Sequence, residues 1–170
     1  LFVAEVPTAG DQPSLQRLLR LDRYALSNPP VTSDGTTVAF TAQNLNHSGY
    51  AQTEIGLFAL DGRTKPRVIT SEYDRSVSQI NWSPDGWYLY AVSASEGSFP
   101  LIRFAPFARA DTSSNGDADT GVRAAPVTEA ETSATTFAVD STMITPVEPE
   151  VLTNPGIGVQ SFDATDATLV

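Results

Sequence analysis

The single histidine of the chain, His47, limits the nucleophilic chemistry open to it. A Ser-His-Asp relay needs an imidazole to take the serine proton, so any such relay must pass through His47, and no Gly-x-Ser-x-Gly elbow is present. His47 stands in "QNLNHSGYAQT" (43–53), a polar stretch that reads as an exposed loop. A three-histidine zinc site is impossible, and H-E-x-x-H is absent. The chain has no cysteine, which removes thiol catalysis, disulfides and Cys-ligated zinc. Neither a Gly-rich phosphate loop nor a dinucleotide fingerprint occurs, and no cofactor is expected. Paired carboxylates stay open, because there are 20 Asp and Glu residues, but spacing alone does not say which of them meet. Three acids have a plainer role. Asp34, Asp61 and Asp85 each precede a glycine (Gly35, Gly62, Gly86), the pairing that closes tight turns.

One stretch invites a metal. In "DTSSNGDADTG" (111–121), Asp111, Ser113 and Asn115 fall on the first, third and fifth positions of a calcium loop, with Gly116 on the sixth. Asp117 and Asp119 add oxygens. The twelfth position is Val122, where a bidentate glutamate is required, so the stretch reads as a polar linker and no metal is expected.

The elements that must position these residues are short strands. Thr, Ser, Ala, Pro and Gly fill a 170-residue chain with 18% charged residues, a mix suited to strands and turns. The net charge of −10 repels phosphate backbones, so nucleic acid is not an expected partner. No apolar run approaches 18 residues, so no membrane insertion is expected.

The strands repeat. "TSDGTTVAFTA" (32–42) aligns with "SPDGWYLYAVS" (83–93), each preceded by a short segment, Ser27–Val31 or Val77–Trp82. "IGLFALDGRTKPRVIT" (55–70) then reads strand, Asp-Gly turn, strand. "LFVAEVPTAGDQPSLQRLL" (1–19) repeats that second half, and "FPLIRFAPF" (99–107) supplies its first strand again. "EVLTNPGIGVQSFDATDATLV" (150–170) gives a closing strand, a new opening strand and a degraded turn at Asp166-Ala167. The unit is therefore four strands, a to d, in about 50 residues. Pro84 presets the first corner of the Ser-Pro-Asp-Gly turn, and Gly86 accepts the positive φ of a bulged hairpin. Trp87, Leu89 and Ala91 are expected on one face of strand b and Tyr88, Tyr90 and Val92 on the other, both largely apolar, as a strand packed on two sides requires. Trp82 and Trp87 read as packing residues.

"INWSPDGWYLYAVS" together with "GLFALDGRTKPRVIT" resembles the TolB-like, WD-like β-propeller repeats, whose pattern ends in Leu-Thr; Ile69-Thr70 and Leu152-Thr153 match that ending. The resemblance covers roughly 1–105 and 150–170, and Ala167 departs from it where a glycine is expected. The fold class expected is all-β, a β-propeller segment of about three blade equivalents of four antiparallel strands with one long irregular insert. Its parts are a partial blade (1–24), a full blade (25–75), the start of the next (76–105), an acidic Pro/Thr/Ala-rich insert (106–149) and the end of that blade with a further partial one (150–170). Within the insert, "TTFAVD" (135–140) could add one strand. The chain starts at Leu1 and stops inside blades, so it is expected either to continue into a larger propeller or to close by homo-oligomerisation.

In such a unit the b–c and d–a connections share one end, and the insert projects from the other. Arg23 and Tyr24, then Asn46, His47 and Tyr50, then Glu72, Tyr73, Asp74 and Arg75 fall on the first end. Tyrosine with flanking charge is the composition of a recognition surface. The expectation is a non-catalytic module or scaffold for protein or peptide partners, with no enzyme within these residues. The resemblance implies an extracytoplasmic place. The alternative is the gating propeller of a prolyl-oligopeptidase-type serine peptidase whose catalytic domain lies outside this chain. The sequons Asn46-His47-Ser48 and Asn81-Trp82-Ser83 permit N-glycosylation in a secretory pathway.

Overall fold

The computed structural model describes residues 1–4, 15–47, 49–61, 64–107, 135–137, 146–154, 156 and 158–164. The calcium-loop stretch Asp111–Asp119, Gly62 and the Asp166-Ala167 turn lie outside the described residues. The chain is all-β. Its strands are β1 (Phe2–Ala4), β2 (Leu15–Arg17), β3 (Leu19–Leu21), β4 (Tyr24–Ser27), β5 (Thr37–Asn44), β6 (Thr53–Ala59), β7 (Arg67–Val68), β8 (Val77–Trp82), β9 (Leu89–Ser93), β10 (Leu101–Phe104), β11 (Thr135–Phe137) and β12 (Glu150–Val151). Two antiparallel four-stranded sheets form the body, β4-β5-β6-β7 (sheet I) and β8-β9-β10-β12 (sheet II). Strand β12, which follows the insert in sequence, pairs with β10, Val151 opposite Ile102.

The Asp-Gly turns of the two sheets share four hydrogen bonds. In sheet I the Thr32 hydroxyl donates to Asp34 Oδ1 at 2.6 Å and accepts from the Thr37 N–H at 3.1 Å. The Thr36 N–H caps the same carboxylate oxygen at 3.0 Å, and the Gly35 N–H reaches the Thr32 carbonyl at 2.9 Å. In sheet II the Ser83 hydroxyl donates to Asp85 Oδ1 and accepts from the Tyr88 N–H at 2.9 Å, while the Trp87 and Gly86 N–H groups fill the other two places at 3.1 and 2.9 Å. Each turn satisfies its own polar groups locally, which lets both sit at the surface. Gly35 and Gly86 have φ of 71° and 73°, the left-handed region where only glycine is unstrained. One turn earlier, Asn28 and Gln79 repeat a second irregularity, with φ of 48° and 49°. At Gln79 this is a bulge in the β8–β9 ladder.

The far ends repeat as well. The Ile69 N–H donates to the Ile55 carbonyl at 2.9 Å, and the Thr70 hydroxyl accepts the Ile55 N–H at 2.8 Å. Leu152, Leu101 and Thr153 form the same pair of bonds, both at 2.9 Å. Leu18 N–H to Leu1 carbonyl, again 2.9 Å, is a third copy of the first bond. Strands β1 and β2 thus form an antiparallel pair in the register of β6 with β7. The Ile-Thr and Leu-Thr endings hold the outer strand against its neighbour after the ladder has run out.

Both faces of β5 are buried. Phe40 and Ala42, with Phe58 of β6, pack on Leu19 and Leu21. Ala39, Ile55, Leu57 and Ile69 face sheet II, against Val77, Ile80, Trp82, Leu89, Ala91, Ile102 and Phe104. Each large apolar side chain removed from water there contributes roughly 1.5–3 kcal/mol. Side-chain volumes are traded across the repeat. Phe40 stands opposite Gly56 in sheet I, where a Cβ would come within 2.3 Å of its ring; the corresponding pair in sheet II is Ala91 opposite Ile102. The Trp82 indole N–H ties the sheets together by donating to the Pro30 carbonyl at 3.2 Å, and its ring stacks on Phe107 at 5.9 Å.

Four details differ from the sequence reading. The first opening strand is Tyr24–Ser27 and not Ser27–Val31, because Asn28 turns left-handed and Pro29-Pro30 bring no N–H to the ladder; only a bridge from Val31 to Val38 remains. Trp87 is exposed, since its N–H belongs to the turn and β9 starts two residues later. On the second side of β9 Val92 is buried but Tyr88 and Tyr90 are only half-buried, with the Arg103 guanidinium 4.5 Å over the Tyr88 ring and bonded to Glu150 at 2.7 Å. Residues 158–164 form no strand among the described residues and lie across that side of sheet II, placing Phe162 on Tyr90 at 6.3 Å and giving Asn81 a bond to Asp163. Of the stretch 135–140, Thr135–Phe137 form β11, which pairs parallel with β3, and 138–140 lie outside the described residues.

Candidate functional site

The loop between β5 and β6 and the loop between β7 and β8 meet at one end of the sheets. Their meeting follows from local bonds. Arg23, at φ 62°, turns the chain into β4, and its carbonyl accepts the Leu45 N–H at 2.8 Å. The Asn44 side chain then caps the Asn46 N–H at 3.0 Å, and the Arg23 guanidinium donates to Asn46 Oδ1 at 3.3 Å. A single 3-10 turn, Leu45–His47, ends with the His47 carbonyl accepting the N–H groups of Tyr50 and Ala51. Gln52 returns the chain to β6 and bonds Asp74 Oδ1 at 2.7 Å; the Thr53 N–H donates to the Ser76 hydroxyl. These two bonds join the loops of consecutive elements.

The result is an open groove of about 540 Å³ lined by Tyr24, Asn44, His47, Tyr50, Gln52 and Glu54. Tyr50 is 97% exposed, so its ring contributes nothing to the core. Tyr24 is half-buried, and its hydroxyl accepts from the Asn44 amide at 3.4 Å. Burial, then the Glu54 carboxylate, push the Tyr24 phenol up, so it stays a neutral donor and acceptor. Burial likewise raises the Glu54 carboxyl above the ordinary carboxylate range. The groove combines two aromatic rings, an imidazole, two amides and a carboxyl, a set able to stack on a side chain and pair with a peptide backbone.

Of the residues marked in the sequence, Tyr24, His47 and Tyr50 line this groove, Arg23 and Asn46 stand at its rim, and Asp74 joins through Gln52. Arg75 lies further along the same end, 3.8 Å from Glu96. Glu72 and Tyr73 go elsewhere. They border a smaller cleft of about 250 Å³ with Pro146–Pro149, where the Val147 N–H donates to the Ile69 carbonyl. The Tyr73 ring sits edge-on to Phe104 at 6.2 Å, and its hydroxyl bonds Ser93 at 2.7 Å, so it is chiefly a core residue. Asn44, Gln52 and Glu54 were not marked. They are half-buried at or beside the ends of β5 and β6, and no local pattern in the sequence distinguishes them. Among the described residues no cluster of three His, Cys, Asp or Glu side chains is placed to hold a metal, and no helix is long and apolar enough to cross a membrane. No family model and no curated protein matches the chain.

The opposite end carries the Asp-Gly turns. Asp34, Thr36, Asp85, Gly86, Trp87 and Phe107 border a second shallow depression there. Its polar groups are spent on the turns themselves. Asp61 plays the same role in the third turn, accepting the Thr64 N–H at 3.2 Å.

Proposed function

We propose that each four-stranded sheet is a β-propeller blade and that the chain is a binding module for protein or peptide partners, engaging them at the end formed by the 44–54 and 70–76 loops. The observation that carries the reading is the Gln52–Asp74 bond, which joins loops of consecutive elements into one surface holding Tyr24, His47, Tyr50 and Glu54. Repetition of turn, bulge and outer-strand bonds between the two sheets supports the blade reading, because each copy buries its faces only against the next. Exposed tyrosine beside histidine and amides is suited to extended peptide, with the rings as anchors and the amides as backbone partners.

The test is selection of peptides from a displayed random library on the intact chain, followed by hydrogen-exchange mapping of the tightest binder. Protection concentrated at 44–54 and 70–76 is expected. Protection at 32–37 and 83–88, or none at either end, contradicts the reading.

A further inference from the structure

We propose that the outer edge of β3, with Arg17, Arg20 and Arg23 beside it, is a strand-addition site for acidic peptides, and that the chain's own insert occupies it through β11. The site is separate from the loop-end groove, although Arg23 and Tyr24 border both.

Three of the chain's 10 basic residues fall within residues 17–23, and all three side chains are exposed, in a molecule of net charge −10. They surround an open groove of about 340 Å³ whose apolar rim includes Phe2, 67% exposed, and Leu45, 52% exposed. Among the described residues, Arg17 and Arg20 have no carboxylate within ion-pair distance. Charge and apolar surface together fit a segment that alternates acids with hydrophobic residues.

The edge demonstrably accepts a strand. Thr135, Thr136 and Phe137 pair in parallel with Leu19, Arg20 and Leu21, the one parallel pairing among the described residues. That strand belongs to the acidic insert, with Glu129 and Glu131 before it and Asp140 after it. Three residues of parallel ladder are a weak attachment. The covalent tether compensates, holding the segment near the edge at an effective concentration on the order of millimolar. Such an occupant is exchangeable, and main-chain pairing on an open edge is a general mode of peptide capture.

The probe is a fluorescein-labelled peptide with the sequence of residues 129–140, EAETSATTFAVD, titrated by anisotropy into the full chain at low salt. The variant T135P/T136P breaks the internal strand whichever residue faces the ladder, and it leaves both sheets untouched. It is expected to bind the peptide at least about ten-fold tighter than the unaltered chain, because the tethered competitor is gone. Adding R17E/R20E, both at exposed positions, is expected to reverse that gain, with circular dichroism checking that the fold is kept. Equal or absent binding in the unaltered and proline chains overturns the proposal, as does tight binding that survives the arginine reversal.

Discussion

Asp34 and Asp85 do the same work in two copies of one turn, and each is held by a hydroxyl two residues before it and a backbone N–H two residues after it. D34A and D85A are each expected to lower the unfolding free energy by about 1 kcal/mol, measured by urea denaturation. The donors hold the Asp34 carboxyl below its ordinary value of 3.8, led by the Thr32 hydroxyl. A depressed value means that the stabilisation is present above 3.8 and is lost as pH falls through the folded-state value. The penalty of D34A should therefore shrink in acid. Glu54 has the opposite sign. Burial raises its value above 4.5, so the fold is at full advantage below 4.5 and loses stability as pH rises through the raised value. E54Q is expected to raise Tm at pH 7 and to leave it unchanged at pH 4. The aspartates were legible in the sequence because Asp-Gly forms its turn locally. Glu54 was not, since its burial comes from residues of other strands.

At the scale of the element, Phe40 and Gly56 behave as one unit. A Cβ on Gly56 meets the Phe40 ring at 2.3 Å, and Phe40 has no free space in the core. G56A is expected to cost roughly 1–3 kcal/mol, read from denaturation midpoints. Sheet II holds the reciprocal pair, Ala91 with Ile102. The double change F40A/G56I should accordingly be less destabilising than the sum of its single changes, and a double-mutant cycle measures the coupling. The pairing of sizes could not be read from the chain, because neither partner looks unusual alone. Strand order within each sheet was legible from the turns, including the place of β12 beside β10. Strand bounds failed where backbone chemistry overrode the apolar pattern, at Pro29-Pro30 and at Trp87. The partner of β11 was out of reach for a different reason: Thr135 and Leu19 are too far apart in sequence for any local rule to connect them.

In the whole molecule, sheet I is covered on one face by Leu19 and Leu21 and on the other by sheet II, whose own second face carries the 158–164 segment. Ala39 and Leu57 of sheet I face a dry interior, whereas their counterparts Tyr90 and Arg103 face the 158–164 segment and Glu150. The Gln52–Asp74 bond joins two loops into one surface at the end opposite the Asp-Gly turns, and that surface is the basis of the proposed binding role. The Asp-Gly end also offers an exposed aromatic, Trp87, and it is the natural rival surface. The decisive measurement is the Kd of a library-selected peptide for Y50A and for W87A, side by side. Loss of at least about ten-fold for Y50A with no change for W87A is expected, because an exposed aromatic anchor at an interface is worth about 1.4 kcal/mol or more. The reverse pattern would place recognition on the turn end and contradict the account.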